Sequence, residues 1–145
     1  MKIKFDIQEK YTGPEIHLCD KEKSKELLSI HEILQDFLGT KIRVYKKQES
    51  KTLVPSGIVR VYSENKKVYI RTQDDSYEVR DRIYTLEEQL KEWGFVRISN
   101  SEIVNTQQIE KLDMSYIGTI KMYMKNGDET FVSRRYVKKI KEVLM

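Results

Sequence analysis

The sequence FVRISNSEIVN, residues 95–105, begins the stretch that decides the fold. Two apolar runs joined at Asn126-Gly127 follow it, and then comes FVSRRYVKKI, residues 131–140. Asn100 stands between two serines at a bend between apolar runs, and Arg134 and Arg135 open a short basic helix. Asn-Gly between two such runs is typical of a type I′ hairpin. The whole stretch predicts a rigid β framework that presents polar side chains to DNA.

The chain has 145 residues, enough for one medium domain or for a small domain with an appendage. No apolar run approaches the roughly 18 to 20 residues that span a bilayer. The alternating charges of MKIKFDIQEK, residues 1–10, exclude the apolar core of a signal peptide. We therefore expect a cytoplasmic protein. The single cysteine, Cys19, agrees with this location and excludes an intramolecular disulfide.

The positive charge of the chain is concentrated at its C-terminal end. The net charge is +4 and the pI is about 9.0, which alone does not distinguish a nucleic-acid binder from an ordinary basic protein. Residues 131–145, however, contain five basic side chains and one acid, Glu142. This pattern fits a nucleic-acid contact and equally fits a solvated face of an amphipathic helix.

The first 50 residues predict a small β-β-α-β extension. Residues 1–7 alternate apolar and charged side chains as a half-buried strand does, and residues 15–18 predict a second short strand. Asp20 is a candidate N-cap for a helix over residues 21–38 with an apolar stripe, and residues 41–46 predict a strand. A unit of this size buries too little surface to be stable alone. We therefore expect residues 1–50 to serve dimerisation or partner binding, with a joint at residues 48–52.

Residues 53–145 predict a domain made mostly of antiparallel strands with short helices. Strands are expected at residues 58–62, 68–71, 77–80, 95–98, 102–104, 111–114, 119–124 and 129–132. Thr85 and Glu88 form a capping-box pattern for a helix that ends at Gly94, Asn105 predicts a cap for a single turn, and Ser133 predicts the cap of the last helix. The fold class is therefore mainly β with short helices (α+β).

The usual signatures of enzymes and metal sites are missing from the sequence. His17 and His31 are the only histidines, and one cysteine near His17 supplies too few ligands for zinc. There is no glycine-rich phosphate loop and no nucleophile elbow. We expect no catalytic residue, no metal, no cofactor and no small-molecule substrate.

Two polar groups are candidates for nucleic-acid recognition. Arg134 and Arg135 lie where a helix dipole is positive, which disfavours cations unless an anion is bound there. The alternative is that they pair with acids of a neighbouring strand. Asn100 can contact a base edge with both amide atoms, or it can support only its own turn. Asn105 is more typical of a structural cap.

These motifs resemble those of the LytTR family of bacterial DNA-binding domains. The family pattern has an F-x-R-I-H-x-S-x-I-V-N block, an N-G hairpin and an S-R-x-Y-like start to the last helix. This chain has FVRISNSEIVN, KNG and VSRRYVKKI, and the resemblance covers residues 53–144. It implies an elongated stack of antiparallel sheets that inserts loops into successive major grooves. Ser99 replaces the histidine that is usual in the family.

The resemblance also implies roles for individual residues. Asn100 and Arg135 fall on base-reading positions, and a third base contact comes from the hairpin tip at Lys67 or Lys66. The side chains on or near backbone-contact positions are Ser101, Ser133, Tyr136 and Lys138. We expect Lys66 and Arg134 as further DNA backbone contacts. The chain resembles stand-alone members without a receiver domain, which implies a membrane-protein antagonist as a partner.

The sequence thus favours a transcriptional regulator that binds double-stranded DNA specifically, as a homodimer. The alternative is a protein-interaction module that uses its sheet edges and N-terminal helix, with the basic helix incidental. Single-stranded RNA binding is a weaker alternative, because tyrosine-rich sheet faces stack bases but the nine tyrosines here are scattered.

Overall fold

The computed structural model describes residues 1–145, which divide into two compact units, residues 1–37 and residues 38–145. No helix of the structure is both long and apolar enough to cross a membrane. The elements in chain order are α1 (Lys25–Leu38), β1 (Ile42–Lys46), β2 (Glu49–Leu53), β3 (Arg60–Glu64), β4 (Lys67–Arg71), β5 (Ser76–Val79), α2 (Ile83–Leu90), β6 (Phe95–Ser99), β7 (Glu102–Asn105), β8 (Ile109–Asp113), β9 (Ile120–Met124), β10 (Glu129–Val132) and α3 (Val137–Leu144).

Strands β1 to β7 form one antiparallel sheet in the order β2-β1-β5-β4-β3-β7-β6. Apolar side chains alternate along these strands, so Val44, Val61, Ile70 and Ile103 lie on one buried face. Helix α2 covers that face, and its Leu86 and Leu90 belong to the same core cluster. Period-2 strands and a helix with one apolar stripe thus bury each other's apolar faces.

Strands β8, β9 and β10 form a second antiparallel sheet, which packs with α3 around a second core cluster. Ile120, Met122 and Met124 are the fully buried residues of the central strand. Ile140 is the buried residue of α3, whose basic side chains face solvent. The structure confirms the predicted class, a mainly β fold with two antiparallel sheets and short helices.

The first two predicted strands are absent. Residues 1–24 contain no strand, and the helix begins at Lys25 instead of residue 21. Alternation alone does not make a strand, because its backbone groups need a partner strand. Ile3, Phe5 and Ile7 are 85%, 90% and 91% exposed. The predicted joint at residues 48–52 is instead part of the β1–β2 hairpin, which belongs to the large sheet.

Two predicted caps are wrong in detail. The N-cap of α2 is Arg82, and Thr85 lies in the first helical turn, where its N–H donates to the Arg82 carbonyl oxygen at 3.0 Å. The helix starts earlier because Ile83 packs on the first core cluster. Ser133 precedes a 3-10 turn over Arg134–Tyr136 and makes no side-chain cap hydrogen bond. The predicted cap at Asn105 is confirmed, since its side chain accepts a hydrogen bond from the Gln107 N–H at 3.1 Å.

The hairpin prediction at Asn126-Gly127 is also wrong in turn type. A type I′ turn needs positive φ at both central residues. Gly127 has φ +92° but Asn126 is not among the positive-φ residues, and the Met124 N–H donates to the Asp128 carbonyl oxygen at 2.8 Å, which closes a three-residue loop. The two-residue turn with positive φ at both positions lies elsewhere, at Asn65 (φ 52°) and Lys66 (φ 63°) between β3 and β4.

Candidate nucleic-acid interface

The sheet register brings two loops to one end of the seven-stranded sheet. β3 runs antiparallel to β7 with Tyr62 opposite Glu102, so the β3–β4 turn lies beside the β6–β7 loop. The Ser63 N–H donates to the Ser101 carbonyl oxygen at 2.8 Å, which joins the two loops directly. Asn100 and Lys66 therefore project from the same end of a stiff sheet.

The β6–β7 loop, residues 100–101, is held by hydrogen bonds to Ser99 and by Arg97. The Ser101 N–H donates to Ser99 Oγ at 3.2 Å, and the two serine hydroxyl oxygens are 3.3 Å apart. Arg97 Nε donates to the Ser99 carbonyl oxygen at 2.7 Å, and its Nη2 donates to the Asn100 carbonyl oxygen. Its Nη1 lies 3.4 Å from a carboxylate oxygen of Glu87 on α2. The guanidinium thus fastens the loop to the helix behind the sheet.

Arg97 is the residue of this candidate site that sequence reasoning missed. Its side chain is only 13% exposed, so it acts inside the protein and not as a free surface cation. The signal in the sequence is a charged residue between Val96 and Ile98, in the middle of an apolar strand. A mostly buried charge needs a partner, so such a residue indicates a local network of hydrogen bonds and ion pairs.

The turn before α3 lies against the same loop. The Ser133 N–H donates to the Ile98 carbonyl oxygen at 2.9 Å, and the Tyr136 hydroxyl donates to Asn100 Oδ1 at 3.1 Å. Tyr136, predicted as a backbone contact, therefore supports the Asn100 amide in the free protein. The bond leaves the Asn100 amide nitrogen without a partner from the chain.

The basic residues of this turn and of the start of α3 are exposed. Arg134, Arg135 and Lys138 face solvent, and none of the three takes part in an ion pair. The alternative that the arginines pair with neighbouring acids is therefore not what the structure shows. The Arg134 side chain packs along the β8–β9 loop at Gly118. A methyl group in place of the Gly118 hydrogen would be 3.5 Å from Arg134 Nε. Arg135, the next residue, is left free at the surface.

The two lysines at the β3–β4 turn differ in their surroundings. Lys66 is an exposed residue of the turn itself. Lys67 opens β4, and its Nζ lies 3.7 Å from a carboxylate oxygen of Glu78 on β5. Since this pair is exposed, its contribution to stability is under about 1 kcal/mol, and another anion or base edge can replace Glu78.

A charged network joins the two sheets behind these loops. Arg60 Nε and Arg71 Nε each lie 3.0 Å from Asp128 Oδ2, and Arg60 Nη1 lies 3.1 Å from Glu102 Oε1. Thr130 donates to Glu102 Oε2 at 2.7 Å. Glu102 directly follows the Asn100 loop, so the network holds the second sheet and the base of the loop together.

The network shifts the pKa values of its members. Burial by itself would raise the pKa of Asp128, but hydrogen bonds from Arg71 and Arg60 outweigh it, so the pKa lies below its ordinary value. Burial by itself would lower the pKa of Arg60, and the hydrogen bond to Asp128 and the charge of Glu102 raise it above its ordinary value. Asp128 and Arg60 are therefore both charged across the neutral range.

The side chains near His17 do not form a metal site. His17 Nε2 lies 2.9 Å from a carboxylate oxygen of Glu15, and Cys19 is an exposed free thiol. The structure contains no group of three or more histidine, cysteine, aspartate or glutamate side chains placed to hold a metal ion.

Comparison with known proteins gives this arrangement a family. The sequence model of the LytTr DNA-binding domain matches residues 48–145, which include the β3–β4 turn, the β6–β7 loop and the turn before α3. The chain belongs to the LytTr DNA-binding domain family. The LytTr match begins inside the β1–β2 hairpin, so the strands and helices that carry Asn100 and Arg135 all lie within it.

Relatives and one solved structure agree with the LytTr assignment. An uncharacterized HTH-type transcriptional regulator of Staphylococcus aureus strain MSSA476 is 35% identical over 145 residues, covering 99% of this chain and 98% of the relative. A regulator of the same description from strain RF122 is 44% identical over 89 residues, covering 61% of this chain and 60% of the relative. A LytTr DNA-binding domain structure from Bacillus cereus has a TM-score of 0.69 at 20% identity, covering 72% of this chain and 96% of that one.

The fold does not contain a helix-turn-helix, although the names of these relatives mention one. The α-helices α1, α2 and α3 are separated from each other by strands, so no two of them are joined by a short turn. The elements that meet around Asn100 are loops and a 3-10 turn.

Proposed function

We propose that this chain is a transcription regulator that binds double-stranded DNA and reads base edges in the major groove with Asn100 and Arg135. One observation carries the proposal: the Asn100 loop and the turn at residues 134–136 adjoin, through the 3.1 Å hydrogen bond between Tyr136 and Asn100. An exposed carboxamide and an exposed guanidinium are the groups that contact adenine and guanine with two hydrogen bonds each. Family membership and the description of the relatives as transcriptional regulators support this function.

The neighbouring groups suit contacts to the DNA backbone. In our proposal Lys138 and Arg134 neutralise phosphates, and the hydroxyls of Ser101 and Ser133 donate hydrogen bonds to them. Tyr136 contacts the backbone through its ring, since its single O–H is donated to Asn100 Oδ1. Such contacts set affinity and position, whereas base contacts set specificity. At the hairpin tip we propose a phosphate contact for Lys66 and a base contact for Lys67, which then exchanges Glu78 for the base edge.

Selection from a random duplex pool, followed by fluorescence anisotropy with single-base variants of the selected duplex, tests these roles. Asn100→Ala and Arg135→Ala should each lose about 1 to 3 kcal/mol of discrimination at one base pair. Lys138→Ala should weaken binding to every duplex alike and reduce the salt dependence. If all three changes weaken every duplex equally, Asn100 and Arg135 are not base readers. If the wild-type chain binds no duplex, the function itself is wrong.

For residues 1–37 we propose self-association, so that the regulator binds DNA as a homodimer on repeated half-sites. The support is an apolar surface that the structure leaves open, since Phe5 is 90%, Ile33 is 65% and Phe37 is 78% exposed. Ile33 and Phe37 are four residues apart in α1 and so lie on one face of the helix, and exposed apolar surface of this kind marks interaction sites. A membrane-protein antagonist, which the family resemblance implies, is the other occupant to test. Access to the chromosome places such a regulator in the cytoplasm.

Analytical ultracentrifugation of the full chain tests self-association. Ile33→Ser with Phe37→Ser should shift a dimer to monomer, because both side chains are exposed and their replacement leaves the core intact. Ile117→Ser is the matched control, because Ile117 is 95% exposed in the other unit. A dimer that survives the double change, or a wild-type monomer at high concentration, would contradict the homodimer.

A further inference from the structure

Two arginines lie beyond the candidate interface, at the same end of the large sheet. β4 and β5 are antiparallel with Val68 opposite Val79, so the residues after β5 lie beside the start of β4 and the β3–β4 turn. Arg80 and Arg82 follow β5 directly and are exposed. The strand register thus places these two arginines at the same end of the sheet as Asn100 and Lys66.

The two arginines are free to contact an anion. Neither takes part in an ion pair, including with the exposed Asp81 between them. The Arg80 guanidinium carbon stacks 4.0 Å from the centre of the Tyr45 ring, which holds the charge at a fixed place on the surface. Acids near this end are Glu64, Asp81 and Glu78, the last of which pairs with Lys67.

The spacing of the strands fits a flanking DNA strand. β5 is three strand positions from β7 in the sheet order, which at the usual strand separation is about 14 Å. The major groove of B-DNA is about 12 Å wide. In a duplex that lies along this end of the sheet with the Asn100 loop near one wall of the groove, the opposite wall and its phosphate backbone would be near Arg80 and Arg82.

We propose that Arg80 and Arg82 form a second anchoring site that binds phosphates of the duplex beyond the groove read by Asn100. The inference rests on the proposed function, since it extends the same DNA path along the end of the sheet. The site carries no sequence information, because it meets only the phosphate backbone. It adds affinity and fixes the direction in which the protein lies on its half-site.

The test is the salt dependence of binding by the full chain to its selected duplex. Each phosphate contact contributes about 0.9 to the slope of log K against log salt. Arg80→Gln with Arg82→Gln should therefore reduce the slope by roughly 1.8 and weaken all duplexes alike. Arg80→Lys with Arg82→Lys keeps the charges and should keep the slope near the wild-type value.

The matched control removes two charges from the opposite end of the sheet. Lys91 and Lys125 are exposed, and the turn containing Lys125 lies beside Thr72, at the far end of β4. Lys91→Gln with Lys125→Gln should leave the slope unchanged. Hydroxyl-radical footprinting should show that the arginine variant loses protection on one flank only.

The outcomes separate this inference from the function on which it rests. Equal slopes for the arginine variant and the lysine control, with base discrimination still lost in Asn100→Ala, would overturn the anchoring site and leave the DNA-reading function intact. An unchanged footprint would also overturn it. A wild-type chain that binds no duplex would overturn both.

Discussion

Removal of the Arg97 side chain should lower the affinity for the selected duplex without comparable loss on random DNA. Arg97 donates to the carbonyl oxygens of Ser99 and Asn100, and these bonds hold the loop before DNA arrives. In Arg97→Ala the loop becomes mobile, and binding must then order it. Arg97 itself is 13% exposed behind the loop, so the variant loses few direct contacts.

The magnitude follows from the bonds that are lost. A hydrogen bond to a charged group contributes about 1.5 to 3 kcal/mol when buried, and less here because the bond to Asn100 is exposed. Ordering the backbone of one residue costs about 1 to 2 kcal/mol. A loss of roughly 1.5 to 3 kcal/mol in specific binding is therefore expected, which is about 10- to 100-fold in Kd.

The assay is fluorescence anisotropy on the selected duplex and on a random duplex at one salt concentration. Because Arg97→Ala leaves the Glu87 carboxylate unpaired, Arg97→Ala with Glu87→Gln is the variant that keeps the net charge. Arg97→Lys should rescue little, because an ammonium group cannot reach two carbonyls and a carboxylate as a planar guanidinium does. Urea unfolding checks that each variant is folded.

Two results would refute the reasoning. Equal weakening on both duplexes would mean that Arg97 contacts phosphate or that the whole domain is disturbed. Unchanged specific binding in a folded Arg97→Ala variant would mean that the loop needs no support from the guanidinium.

Three further changes test the framework that carries the loops. Asp128→Asn should lower the free energy of unfolding by about 1.5 to 3 kcal/mol at neutral pH. Because the pKa of Asp128 is depressed in the folded state, this difference from wild type should shrink as the pH falls below about 4. A difference that stays constant with pH would exclude the ion pairs as its origin. Asn105→Ala should cost roughly 2 kcal/mol or more in urea unfolding without changing base preference, since it leaves the buried Ile58 carbonyl unpaired. Gly127→Ala should cost about 1 to 2 kcal/mol because of its φ of +92°, whereas Gly57→Ala, which meets nothing within 4 Å, should be nearly neutral in thermal unfolding.

The strands of residues 53–145 could be predicted because their signal is local. Alternation such as that of Ile120, Met122 and Met124 specifies which face is buried whatever the partner strand is. The same alternation in residues 1–7 misled, because a strand also needs a partner and the sequence does not show whether one exists. The sequence predicts strand β1 but not its place beside β5, because that place depends on a pairing between residues 33 positions apart.

The candidate site divides in the same way. Asn100 and Arg135 could be proposed from motifs, since their residue types and flanking patterns are local, and their roles stay a prediction. The contacts around them could not be predicted. The hydrogen bond from Tyr136 to Asn100 spans 36 residues, and the hydrogen bonds from Arg97 to the loop depend on a β-bulge between Arg97 and Ser99. The turn at Asn65-Lys66 adopts positive φ without a glycine, so composition gave no indication of it.

In the proposed complex, these contacts explain how loops can do what a recognition helix does in other DNA-binding proteins. A helix brings its own rigidity into a groove, whereas a short loop must obtain rigidity from its surroundings. The Asn100 loop obtains it from Arg97 and Tyr136, while the Arg60–Asp128 network fixes the second sheet behind it. Because the loop is already ordered, less of the energy of base contacts is spent on ordering it. It follows that Arg97, which does not touch DNA in the proposed complex, should affect specific binding about as strongly as Asn100 does.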